Sequence, residues 1–61
     1  MDLQAKSATY AIKGRQILQQ KGIKAYLGKR SGEGGCYYYI KVQDRHGEIA
    51  QQLLQAEGVL K

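Results

Sequence analysis

The chain has 61 residues, a net charge of +5, a 43% hydrophobic share, one cysteine and no proline. Sixty-one residues suffice for a single small domain spanning 1–61. A chain so short buries only about 60% of the surface its unfolded state exposes, which excludes a large core. The apolar share argues for folding over disorder, and one cysteine cannot form an internal disulfide. No apolar run approaches membrane-spanning length, and no secretion-signal pattern opens the chain. A solitary thiol therefore predicts a reducing, cytoplasmic setting. Ten Lys and Arg against five Asp and Glu favour anionic partners in principle. The basic residues are scattered without a run of like charge, so charge alone points to no partner.

In chain order, residues 2–6 alternate Leu3 and Ala5 with Gln4 and Lys6, a period-two pattern that predicts a strand. Ser7 and Thr9 offer oxygens able to cap a helix. Ala8, Ala11, Ile12, Ile17 and Leu18 then recur at helical spacing through residues 8–21. Gly14 falls on that stripe, where glycine costs roughly 1 kcal/mol against alanine; close helix-to-sheet packing explains it. Gly22 predicts a left-handed cap. Residues 23–29 alternate as a second strand, with Ile23, Ala25 and Leu27 on one side. Residues 30–35 form a glycine-rich loop, and residues 36–43 a third, tyrosine-rich strand. Asp44-Arg45-His46-Gly47 reads as a turn. A last helix over 48–57 turns Ile49, Leu53, Leu54 and Ala56 inward and stops at Gly58.

The strand-helix-strand-strand-helix order predicts an α+β fold. A right-handed crossover sets the first two strands parallel, and a hairpin joins the next two. The expected three-stranded sheet has order 1-3-2 with both helices on one face, a truncated ferredoxin-like unit lacking its last strand. That order buries the most apolar strand in the centre. It also brings Cys36, the glycine loop, Arg30 and the first helix's N-terminus to one end of the sheet. Helix N-termini favour anions, so a thiol placed there holds a larger thiolate fraction.

Two constellations carry chemistry. Cys36 stands where the glycine loop becomes a strand, and two readings of it balance. Alternation sets it beside Tyr38, Ile40 and Val42, as a small buried hydrophobe. Its place at a strand's end beside glycines argues for access instead. A Cys-His catalytic pair is excluded, because His46 lies on the order of 20 Å away along the strand and reads as a solvated turn residue. No metal-ligand set exists. Ser31-Gly32-Glu33-Gly34-Gly35 matches no phosphate-loop pattern and reads as a hairpin loop. The second constellation is a sheet face opposite the helices, bearing Tyr26, Tyr37, Tyr39, Lys24 and Lys41, with Lys6 beside them. Aromatics among lysines stack single-stranded nucleic acid in some domains. Self-association ranks above nucleic acid here, because no RNA-binding sequence motif accompanies the face.

Ser7-Ala8-Thr9-Tyr10-Ala11-Ile12-Lys13, then Lys21-Gly22-Ile23-Lys24-Ala25, then Gly35-Cys36 before a β-prone strand, form an ordered set. With Leu53-Leu54-Gln55-Ala56-Glu57-Gly58-Val59 they cover most of the chain. Together they resemble the selenium/sulfur carrier-like family of small bacterial proteins. The resemblance implies a strand-helix-strand-strand-helix domain whose cysteine, here Cys36, holds sulfur or selenium. Two departures stand out. Tyr37 follows the cysteine where the family often has glycine, and Lys29-Arg30 replaces a proline-arginine pair.

The leading expectation is a thiol carrier rather than an enzyme, with no tightly bound cofactor and with donor and acceptor enzymes as partners. Around Cys36, Ser7 and Thr9 would frame the helix N-terminus, Arg30 would add positive charge, and Gly34 and Gly35 would permit close approach. The rival expectation is a binding module using the tyrosine-lysine face, for a second copy or for single-stranded nucleic acid.

Overall fold

The computed structural model of the chain describes residues 1–32 and 34–61. Strand β1 (Asp2–Gln4) is followed by helix α1 (Ala8–Gln20), strands β2 (Ala25–Gly32) and β3 (Gly35–Val42), and helix α2 (Asp44–Ala56). The strands make one sheet in the order β1-β3-β2, with β3 antiparallel to both neighbours. The α+β class, the element order and the central place of the apolar strand are as the sequence predicts.

Register sorts the side chains. Leu3 pairs with Ile40 and Ala25 with Val42, which puts all four on one face of the sheet. These four join Ala11 and Leu18 of α1 and Ala50 and Leu54 of α2 in one core. Among the described residues, no polar or charged residue is buried. Burial of this apolar set is the main force holding the sheet to the helices.

The two helices solve the same packing problem in the same way. Each buries three residues at spacing i, i+3 and i+7: Ala11, Gly14 and Leu18 in α1, Gly47, Ala50 and Leu54 in α2. Small residues in the first two places let the helix axis approach its neighbours. A Cβ added at Gly14 would lie 2.6 Å from Ile40 Cδ1 and 3.0 Å from Val59 Cγ1, so the predicted close packing is real. Gly47 lies beneath Met1, whose sulfur occupies the space of the missing side chain. Each helix then ends alike. Gly22 and Gly58 take positive φ, 78° and 70°. Ile23 N–H donates to Leu18 C=O, as Val59 N–H does to Leu54 C=O, each at 2.9 Å. These are paired Schellman closures, each tucking an apolar residue against the last buried leucine.

After α2 the chain runs back along β1. Lys6 N–H donates to Val59 C=O, Lys61 N–H donates to Gln4 C=O, and Leu60 bridges Ala5 antiparallel. This short segment lies antiparallel beside β1, on the side away from β3. It shields the β1 edge.

Several boundaries differ from expectation for identifiable reasons. Strand β2 begins at Ala25 rather than Ile23, because the Ile23 N–H is spent on closing α1. The loop expected over 30–35 shrinks, since Arg30, Ser31 and Gly32 pair with Tyr37, Cys36 and Gly35; Glu33 lies outside the described residues. The turn expected at Asp44–Gly47 is the first turn of α2. Asp44 there suits the positive end of the helix dipole and takes an ion pair from the N-terminal amine at 3.0 Å. His46 is therefore half-buried in a helix, with Nδ1 lacking a hydrogen-bond partner, and is not a solvated turn residue. The inward face of α2 also differs from expectation. Ile49 is 54% exposed, Ala56 faces solvent and Leu53 is only half-buried, leaving the inward seam to Gly47, Ala50 and Leu54.

Candidate functional site

β1 pairs with β3 only as far as Gln4 opposite Tyr39, and its last backbone contact with β3 is Ala5 N–H to Tyr38 C=O. Beyond that point Gly35, Cys36 and Tyr37 pair with β2 alone. Strands β2 and β3 thus run on as a two-stranded ribbon for roughly 10 Å past the three-stranded sheet. The ribbon closes between Gly32 and Gly35, and Gly34 and Gly35 take positive φ.

Cys36 sits on this ribbon and is exposed. Alternation gives it the same face as Tyr38, Ile40 and Val42, but burial fades along that series toward the ribbon's tip. Ile40 is fully buried, Tyr38 is half-buried and Cys36 is open. Of the two readings of this cysteine, the buried hydrophobe is excluded. Its polar neighbour is Ser31, directly opposite in register, with Oγ 3.4 Å from Sγ in a contact where either atom can donate. Lys29, two residues before Ser31, shares this face and lies opposite Tyr38, with Nζ 5.9 Å from the ring centroid. A diagonal cross-strand neighbour such as Lys29 stands about 7–8 Å from Cys36, backbone to backbone.

Arg30 does not serve the thiol. It pairs with Tyr37, so alternation sends it to the opposite face. There its guanidinium donates to Asp2 Oδ2 at 3.0 Å and lies 4.9 Å from the Tyr39 ring centroid. Polar interaction with the phenols of Tyr39 and then Tyr37 raises its pKa further above an already high ordinary value. Arg30 is a fixed cation of the open sheet face. Ser7 caps α1 as expected, accepting from Tyr10 N–H at 3.4 Å, whereas Thr9 lies within the helix and faces solvent. Gly34 and Gly35 precede Cys36 at the ribbon's tip, both with positive φ. Register therefore puts Ser31 and Lys29 on the thiol's face of the ribbon and Arg30 on the other.

The open face carries Tyr26 opposite Lys41, Gly28 opposite Tyr39 and Arg30 opposite Tyr37. The Tyr39 ring lies across Gly28, filling the place of a side chain there. It is thus held between Gly28 and the Arg30 guanidinium. Tyr37 and Tyr39 are half-buried, and Tyr26 is the widely exposed ring at 64%. Lys24 precedes β2 and lines, with Tyr26, Gln19 and Ile23, a surface hollow of about 380 Å³. Lys6, expected on this face, lies on the helix side with Nζ 5.6 Å from the Tyr10 ring centroid. The face is less free than its sequence suggests, because Asp2 neutralises Arg30 and the two inner tyrosines are engaged.

Among the described residues, no group of three or more His, Cys, Asp or Glu gathers as a metal set. No helix is long and apolar enough to cross a membrane. No family model, curated protein or solved structure matches the chain.

Proposed function

We propose that the protein is a thiol carrier that holds a sulfane sulfur, or selenium in its place, on Cys36. The observation that carries this reading is the exposure of Cys36 on a two-stranded ribbon that continues past the end of β1. A carrier must offer its sulfur to two partners in turn, a donor and an acceptor, and a projecting ribbon suits both encounters. In the loading step the Cys36 thiolate attacks the outer sulfur of a donor persulfide. The donor's S–S bond breaks, the donor leaves as a thiolate, and Cys36 carries the persulfide. Unloading reverses the roles, with Cys36 as the leaving thiolate. No external oxidant or reductant enters either step. Ser31 can donate to the sulfur that bears the charge, and Lys29 supplies positive charge on the same face. The Gly35-Cys36 motif and its resemblance to the selenium/sulfur carrier-like family suggest the cargo.

The test is loading from a small-molecule persulfide, read by intact-protein mass spectrometry under native conditions. The native chain should gain one sulfur atom and lose it to added thiol, while Cys36→Ser stays unmodified. Alkylation of native Cys36 should proceed as readily as in urea. Sulfur that adds only after unfolding would overturn the reading.

A further inference from the structure

We infer that two copies of this chain associate through the outer edges of β2, extending the sheet to six strands. The two edges of the sheet are treated differently. The β1 edge is covered by residues Val59–Lys61. The β2 edge is eight residues long, contains no proline, and has no strand paired to it among the described residues. An edge of that length is a template for another strand. Beside it runs an apolar groove of about 270 Å³, lined by Ala8, Ala11, Ile12, Leu27 and Tyr38 among others. Ile12 and Leu27 are 45% and 38% exposed.

Charge and register select a second copy as the occupant and fix how it pairs. Antiparallel pairing of two identical strands keeps like faces together, so its two-fold axis must pass through a residue pair. Centred on Leu27, the pairing sets Arg30 against the second copy's Lys24. Centred on Lys29 or Arg30, it sets identical charges directly opposite. Each arrangement is repulsive. Centred on Gly28, every cation meets a neutral partner: Arg30 opposes Tyr26, Lys29 opposes Leu27, and Ser31 opposes Ala25. This register also spans residues 25–31, nearly the whole strand. On the open face it sets Arg30 opposite the exposed Tyr26 of the second copy, so that a cation–π pair forms there, twice, once the guanidinium turns from Asp2 and Tyr39 toward the edge. On the other face the Lys29 stems and the α1 helices of the two copies roof the apolar grooves. Of the registers centred on residues 27 to 30, the edge is thus self-complementary in one, and it is the one that pairs nearly the whole strand.

The test is sedimentation equilibrium of the reduced protein across a wide concentration range, with reductant removing any disulfide through Cys36. The mass should rise from 6.8 kDa toward twice that value. Tyr26→Lys places a second cation opposite Arg30 at two symmetric positions and should weaken dimerisation on the order of tenfold. Tyr26→Glu places an anion there and should preserve or tighten it. Tyr26 is mostly exposed, so both variants should keep the native far-UV circular dichroism. A monomer at every concentration overturns the inference, as do Lys and Glu variants that associate equally. Neither outcome bears on Cys36, whose loading is measured separately.

Discussion

Gly14 offers the sharpest test of how the helices meet the sheet. Replacing it with alanine adds one methyl at a point 2.6 Å from Ile40 Cδ1, 3.0 Å from Val59 Cγ1 and 3.2 Å from Leu54 Cδ2. All three neighbours are fully buried, so none can swing into solvent. Overpacking of this kind costs about 1–3 kcal/mol. Alanine's better helix propensity returns roughly 1 kcal/mol. The net expectation is a loss of about 1 kcal/mol, which for a domain this small lowers Tm by about 4–8 °C. Propensity alone predicts the opposite sign. Ile40→Val removes the very atom that the new methyl strikes, and by itself costs about 0.5–1.5 kcal/mol. If the reasoning holds, the double variant is more stable than the sum of the two losses by about 1 kcal/mol or more, since the added methyl fills the vacated space. Urea denaturation followed by far-UV circular dichroism measures all four corners of this cycle. A Gly14→Ala protein as stable as the native one, or strict additivity with Ile40→Val, would refute the close contact.

The other backbone and packing predictions are simpler. Gly22→Ala and Gly58→Ala should each lose about 1–2 kcal/mol, because alanine resists the left-handed conformation, whereas asparagine at either place should lose less; equal losses for alanine and asparagine would speak against the paired closures. Gly28→Ala should drive the Tyr39 ring off the sheet and separate it from Arg30, weakening the tyrosine signal in near-UV circular dichroism. Gly32→Ala is its control, since nothing lies within 4 Å of the added Cβ, and it should leave that signal unchanged.

Most of the fold was legible because two signals agreed. Period-two and helical spacing gave the element order, and Gly22 and Gly58 marked both helix ends. The errors fall where a residue has two uses. Ile23 reads as the first strand residue by hydropathy, yet its N–H closes α1 and its side chain packs on Leu18. Asp44-Arg45-His46-Gly47 has turn composition, but Asp44 is also a favourable first-turn residue and Gly47 is needed small beneath Met1. Composition cannot separate these uses; only the packing around each residue does. The inward seams were blurred for a related reason. Ile12 and Ile49 are the more hydrophobic residues, but Gly14 and Ala50 are the ones that fit between helix and sheet.

The site was half-legible, and the missing half follows from one misplaced turn. A six-residue loop over 30–35 leaves Arg30 free to reach Cys36. The actual ladder continues to Gly32 opposite Gly35, and once that closure is fixed the partners follow by counting. Ser31 faces Cys36, Lys29 faces Tyr38, and Arg30 belongs to the other side with Tyr37. The glycines at 32, 34 and 35 carried this signal, since a tight closure needs backbone freedom within a few residues. Exposure of Cys36 was beyond alternation for a different reason. Alternation assigns a face, but it does not say whether a helix covers that face at a given position. Here β1 ends at Gln4, so the ribbon outruns the sheet on which the helices pack. The same hydrophobic face that buries Ile40 therefore presents Cys36 to solvent, and that mismatch in length makes the thiol available.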